Sequence, residues 1–186
     1  MSKEKCINLY PLKTHYIVTD ILNHKTFNKK LLKIINSMPK HGIRNTKDSY
    51  VSNTDWETPI ENKPYLEYFF TKIKPYYDCI AKRLCPVGWK WTSGKVWFQQ
   101  YEKGSNHNWH NHEECTHTNV YFVQLPSNNY CTEFYDFITG KSIKAKVKEG
   151  QLLTLGSSIM HRSPSNNSNK LKTVISFNTN VKSYRL

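Results

Sequence analysis

Gly150-Gln151-Leu152-Leu153-Thr154-Leu155-Gly156-Ser157-Ser158-Ile159-Met160-His161 is the stretch whose reading decides the fold. It reads as an apolar strand, then a tight turn, then a histidine delivered where the turn ends. Just downstream, Leu171-Lys172-Thr173-Val174-Ile175-Ser176-Phe177-Asn178 alternates. Lys172, Val174 and Ser176 share one face of a strand, while Leu171, Thr173, Ile175 and Phe177 share the other.

Upstream, the same grammar continues back to Trp89. Strands are expected at Lys95–Tyr101, Asn106–His112, Asn119–Leu125, Thr132–Ile138, Ser142–Val147, Gln151–Leu155 and Leu171–Asn178. Turn signals separate them at Lys103-Gly104, Pro126 to Asn129, Gly140, Gly150 and Pro164 to Asn169. Many short strands divided by turns indicate a sandwich or barrel, and an eight-stranded jelly-roll fits.

Residues before 89 read differently. One or two short strands fall between Ile7 and Val18. Phe27, Leu31, Ile34, Ile35 and Met38 then recur at helical spacing, with Thr26 as N-cap and Pro39 as a stop. Residues 40–63 read as a long connecting loop. A second helix opens at Pro64, with Leu66, Phe69, Phe70 and Ile73 on one face, and Pro75 is expected to kink or split it. The expectation is one domain of 186 residues, mainly β with flanking α. Helical support at about 20–85 backs a double-stranded β-helix, cupin-like, at about 89–181.

Composition narrows the class. With 38% hydrophobic and 13% aromatic residues the chain has the makings of a packed core. No apolar run approaches the ~18 residues of a membrane span, and Asn8 and Pro11 interrupt any apolar leader segment. Cys6, Cys79, Cys85, Cys115 and Cys131 form no Cys-x-x-Cys pair, which points to a reducing, cytoplasmic setting. The net charge of +13 favours acidic partners, nucleic acid among them. Trp89, Trp91, Trp97 and Tyr101 are the residues a stacking surface would use. Against this, Lys144, Lys146 and Lys148 simply alternate with apolar neighbours, as on a half-solvated strand.

Four of eight histidines crowd together: His107, His110, His112 and His117. On a strand, His110 and His112 project from the same face and can reach one ion, with His161 arriving from elsewhere. Imidazole suits iron, zinc, copper or nickel, and redox iron typically takes three facial ligands. Spacing leaves two sets open: His110, His112 and His161, or His112, Glu114 and His161. His107 and His117 are at most hydrogen-bonding neighbours, and His15, His24 and His41 read as ordinary surface or core residues. Lys172 and Ser176, on one strand face, suit the distal carboxylate of a dicarboxylic acid.

Together these segments resemble the 2-oxoglutarate/iron(II)-dependent oxygenase family, in the group found in marine bacteria and their phages. The resemblance runs from about Tyr10 to Asn178 and is strongest over Gly150–Asn178. Asn119-Val120-Tyr121-Phe122-Val123 resembles the family's aromatic strand, and Ser52-Asn53-Thr54-Asp55-Trp56 its Ser-Asn-x-x-Trp element. His110-Asn111-His112 is similar to the group's His-x-His, which implies His110, His112 and His161 as iron ligands. Lys172 stands where an arginine usually holds 2-oxoglutarate, with Ser176 and Tyr101 assisting. Lysine makes a point contact where arginine makes a fork, and Glu113 stands where the group often has proline. The resemblance implies Fe(II), 2-oxoglutarate and O2 as partners, and hydroxylation of a C–H bond with release of succinate and CO2. The substrate is not legible. Two other readings remain: a cupin-like metal-binding protein without 2-oxoglutarate, and a basic nucleic-acid-binding β domain.

Overall fold

The computed structural model describes residues 15–46, 48–85 and 87–183. The strand reading of Ile7 to Val18 falls mostly outside them; within them, the first strand is β1 (Tyr16–Asp20). Helix α1 (His24–Asn36) follows, then β2 (Ile43–Thr46), β3 (Ser49–Val51), β4 (Asn53–Thr54) and α2 (Leu66–Leu84). The rest is strand: β5 (Trp89–Tyr101), β6 (His107–His110), β7 (His117–Gln124), β8 (Glu133–Asp136), β9 (Lys141–Lys144), β10 (Gln151–Gly156), β11 (His161–Ser163) and β12 (Lys172–Ser183).

Strands β5 to β12 form the jelly-roll. A six-stranded antiparallel sheet has the order β1-β10-β7-β12-β5-β4, and a four-stranded sheet the order β6-β11-β8-β9. The chain crosses between the two sheets as it runs from β5 to β12. The expected count of eight is completed by β11, which sequence periodicity missed because three residues are too short to show alternation.

The large sheet separates two cores, and its period-two alternation explains both. Tyr121, Val123, Leu152, Ile175 and Phe177 face the helices, meeting Phe27, Leu31, Ile35, Phe69 and Ile73. Val120, Phe122, Leu153, Leu155 and Val174 face the small sheet, meeting Phe134, Ala145 and Val147. Asn28 ties α1 to the sheet: its Nδ2 donates to the Val123 carbonyl at 2.8 Å, and its Oδ1 accepts from the Tyr121 hydroxyl.

Several expectations need correction. Helix α1 starts two residues before Thr26, behind Asn23, whose φ of 56° is one that asparagine tolerates. It stops at Asn36, ahead of Pro39. Pro64 lies just outside α2, which begins at Leu66. Pro75 does not split α2. Its ring removes one backbone bond, but Phe69 and Ile73 before it and Tyr77 and Ile80 after it are buried in one core, so both halves are held. The "loop" at 40–63 contains β2, β3 and β4, and β4 extends the large sheet beside β5. Ile143, read as inward, is 48% exposed, although Ala145 and Val147 are buried as expected. Gly150 has φ of 81°, and a Cβ there would sit 2.2 Å from the His24 ring, so both conformation and space require glycine.

Asp55 fastens this region. It is buried, accepting from the Phe98 backbone N–H at 2.7 Å and the Tyr65 hydroxyl at 2.8 Å. Lys63, equally buried, lies 3.4 Å from it and donates to the Val96 carbonyl. Burial pulls the Lys63 ammonium below its ordinary value, while Asp55 opposes the shift. Removing one member of such a pair strands a buried charge. Asp55→Ala is therefore expected to cost about 3–5 kcal/mol, read from urea unfolding.

Candidate metal centre

His110 closes β6 and His161 opens β11; the two lie opposite one another in the antiparallel register. His112 is not on the strand, contrary to the same-strand-face reading. Its backbone N–H donates to the Ser157 carbonyl at 3.0 Å, and this bond turns the chain after β6. The three imidazoles meet nonetheless. One nitrogen from each of His110, His112 and His161 lies within 4.8 Å of the other two. Glu114, the alternative ligand, is exposed and stands outside this group.

The donor set fits a metal ion. The Nδ1 of His110 is 2.7 Å from the Asn108 carbonyl, and that of His161 is 2.8 Å from the Ile159 carbonyl. A carbonyl only accepts, so each Nδ1 carries the proton and each Nε2 keeps a lone pair. The Asn178 side chain hydrogen-bonds His112. Burial, chiefly, holds the ring pKa values down, to about 3 for His161 and about 4 for His112, with His110 lowered too. At neutral pH these are three uncharged nitrogen donors.

A narrow cavity of about 30 Å³ runs inward from the imidazoles, and Tyr101, Ser163, Lys172, Val174 and Ser176 are among the residues that line it. Alternation along β12 places Lys172, Val174 and Ser176 there, as the sequence indicates. Lys172 is 1% exposed. Its Nζ donates to Ser163 Oγ at 2.7 Å and lies 5.0 Å from the centre of the Tyr101 ring. Among the described residues it forms no ion pair. The nearby Glu133 is committed to Arg162 at 2.7 Å and to Ser142. Burial pushes the Lys172 ammonium down to about 7. Tyr101 is 1% exposed, and burial raises its hydroxyl pKa.

Outward from the imidazoles opens a cleft of about 640 Å³, whose wall includes Trp56, Lys95, Trp97, Gln99 and His107. His107 stacks on His110 with ring centres 4.0 Å apart, and its Nδ1 is 3.3 Å from Gln99 Nε2. Sequence reading gave His107 little weight, although its place within the histidine cluster was the available signal. Ser163, Gln99 and Asn178 were missed outright, since nothing in their spacing marks them. His117 begins β7 and lines neither the cavity nor the cleft. Trp97 and Tyr101 are interior, so they offer no stacking face; Trp91 packs on Tyr77 and donates to Asp78, and only Trp89 is exposed.

No family model matches the sequence, and no curated protein matches it. Solved structures do match the fold. HygX from Streptomyces hygroscopicus, with nickel and 2-oxoglutarate bound, superposes with a TM-score of 0.66 at 9% identity, covering 90% of this chain and 83% of its own. A Pseudomonas putida prolyl-4-hydroxylase gives 0.64 at 8% identity, covering 90% and 92%. The viral collagen prolyl hydroxylase of Paramecium bursaria Chlorella virus 1, in complex with 2-oxoglutarate, gives 0.54 at 14%, covering 88% and 94%. The jelly-roll is thus the fold of 2-oxoglutarate oxygenases, as the sequence resemblance implies. No helix among the described residues is long and apolar enough to cross a membrane, and Cys79, Cys85, Cys115 and Cys131 are free thiols.

Lys172 imposes a measurable cost. Folded, it loses its proton near pH 7; unfolded, it keeps it to about 10.5. Between those values the unfolded chain holds the extra proton, so the penalty grows as pH falls from about 10.5 to about 7 and is complete below. Lys172→Met is expected to stabilise the ligand-free protein by about 1–4 kcal/mol below pH 7. That advantage should shrink toward pH 10.5, as followed by urea unfolding across pH.

Proposed function

We propose that this protein is an iron(II)- and 2-oxoglutarate-dependent oxygenase that hydroxylates a C–H bond of its substrate. The observation that carries this reading is a buried lysine that forms no ion pair among the described residues and lines the same cavity as three imidazoles. A buried cation of this kind is costly until an anion joins it. A dicarboxylic acid chelating an ion at the imidazoles would have its second carboxylate free for Lys172. Two structural neighbours are described with 2-oxoglutarate, which supports the choice of diacid.

In this reading His110 and His161 would hold the metal through Nε2, oriented by the carbonyls behind them, and His112 would complete the set with Asn178 hydrogen-bonded to its ring. Lys172 holds the distal carboxylate, with Ser176 and Tyr101 beside it. When bound, iron(II), 2-oxoglutarate and O2 supply the oxidation, one oxygen entering the substrate and one entering succinate as CO2 leaves. The protein's own contribution is orientation and exclusion of water: Val120, Val174 and Trp97 wall the cavity. Free thiols and a ferrous cofactor fit a reducing, cytoplasmic compartment.

The decisive experiment is anaerobic loading with iron(II), then addition of 2-oxoglutarate, O2 and ascorbate, with succinate measured. Slow release without a primary substrate is the expected result. His161→Ala should abolish metal binding in calorimetry with cobalt(II). Lys172→Met should keep the metal and weaken 2-oxoglutarate binding at least tenfold. Because the ammonium is the binding form, wild-type affinity should fall as pH rises above about 7. Metal binding without any 2-oxoglutarate binding would favour a cupin-like metal protein instead.

A further inference from the structure

Five residues line both the narrow cavity and the cleft outside it: Trp97, Gln99, His107, His110 and His112. They mark the place where a molecule entering the cleft meets the metal site. His110 and His112 are ligands in the reading above, and the indole nitrogen of Trp97 is closed off from space. Gln99 and His107 are left. Gln99 comes from β5 of the large sheet and His107 from β6 of the small one, so the pair spans the two sheets.

Gln99 Nε2 lies 3.3 Å from His107 Nδ1. A carboxamide nitrogen only donates, so Nδ1 accepts, and the ring carries its one proton on Nε2. The lone pair that a fourth metal ligand would need is thereby committed to Gln99. Two atoms of the pair stay without a partner among the described residues: His107 Nε2–H, a donor, and Gln99 Oε1, an acceptor. Turning the Gln99 amide over would exchange the roles and still leave one of each. Gln99 is 9% exposed, and buried polar groups are nearly always paired. Among the described residues, the side-chain nitrogens and oxygens that are both unpaired and sealed belong to Trp97, Ser105 and His117. The two free atoms of the Gln99–His107 pair are therefore open to the space that their side chains line.

One donor beside one acceptor is selective. 2-Oxoglutarate offers acceptors alone, so Gln99 Oε1 would face its lone pairs. An ammonium group would meet the His107 N–H and share the space with the metal ion and Lys172. A neutral amide has a carbonyl for His107 and an N–H for Gln99. We propose that Gln99 and His107 determine specificity by holding an amide group of the primary substrate at the junction of cleft and cavity. Resting on the oxygenase reading of the same site, this names the chemistry of the group that enters from the cleft.

The test uses protein loaded with manganese(II) and 2-oxoglutarate, with small probes in place of the substrate. Benzamide and N-methylbenzamide carry an amide; methyl benzoate and acetophenone match their shape but offer acceptors alone. Manganese relaxes the protons of a molecule held near it, so probe relaxation reports both binding and place. The amides should bind about tenfold or more tightly than the ester and the ketone. Gln99→Leu and His107→Phe should each bring the amides down to the level of the ester, with the affinities for cobalt(II) and 2-oxoglutarate retained. The phenyl ring keeps the stack on His110 while removing both nitrogens. Preference for benzamide marks a side-chain carboxamide, and preference for N-methylbenzamide marks a peptide bond. Equal binding of benzamide and methyl benzoate by the wild type overturns the proposal, and that comparison needs no variant. So do variants that lower metal or cosubstrate affinity and leave the amide-to-ester ratio unmoved, which would make the pair a packing element. Absence of 2-oxoglutarate binding to the wild type overturns the oxygenase reading instead, a separate failure.

Discussion

The antiparallel register that sets His161 opposite His110 is the constraint on which the rest of the site depends. Strand β11 is three residues long and lies between β6 and β8, so few backbone bonds define its position. A slip of one residue would turn His161 away from the cavity and bring Arg162 toward it. Side chains hold the register. Arg162 lies opposite Glu133 and pairs with it at 2.7 Å, while its guanidinium covers the Trp109 ring at 4.5 Å. The ion pair therefore matters less for its energy than for the alignment it enforces.

The two faces of β12 divide the work of the molecule. Ile175 and Phe177 bind the sheet to the helices, and Lys172, Val174 and Ser176 build the cavity wall. Stability and chemistry thus share one strand without sharing a surface. The cost of the buried ammonium is offset by an aromatic core in which Phe27, Phe69, Tyr121 and Phe177 meet at ring separations of 5.7–6.5 Å. A site that destabilises its own fold is a common trade, and here it resides chiefly in one residue.

Much of this was legible in the sequence, for identifiable reasons. The long run Asn119–Leu125 is apolar enough to name a strand, and the alternation of Leu171–Asn178 names both strand and face, which is why the Lys172 and Ser176 side was found. The pairing of His110 and His112 with His161 rested on resemblance, since spacing alone left Glu114 in contention. What stayed hidden is what short elements and loops determine. β11, β3 and β4 have too few residues for periodicity, and Pro75 looked like a breaker because local chemistry says nothing of the core holding both halves of α2. Ser163, Gln99 and Trp97 reach the site through tertiary pairing, and the stacking role considered for Trp97 and Tyr101 failed because both are interior.

The cavity straddles the seam between the two sheets. His110 and His161 belong to the small sheet, whereas Tyr101, Lys172 and Ser176 belong to the large one. β12 is zipped to β5 along nearly its whole length and to β7 from Thr173 to Thr179, but β6 touches β11 at only two register positions. The small sheet is thus the part most able to open by itself. Any molecule gripping imidazoles on one wall and the ammonium on the other acts as a rivet through the sandwich. Amide exchange in β6 and β11 would slow on loading, while the protons of β12 would scarcely register it.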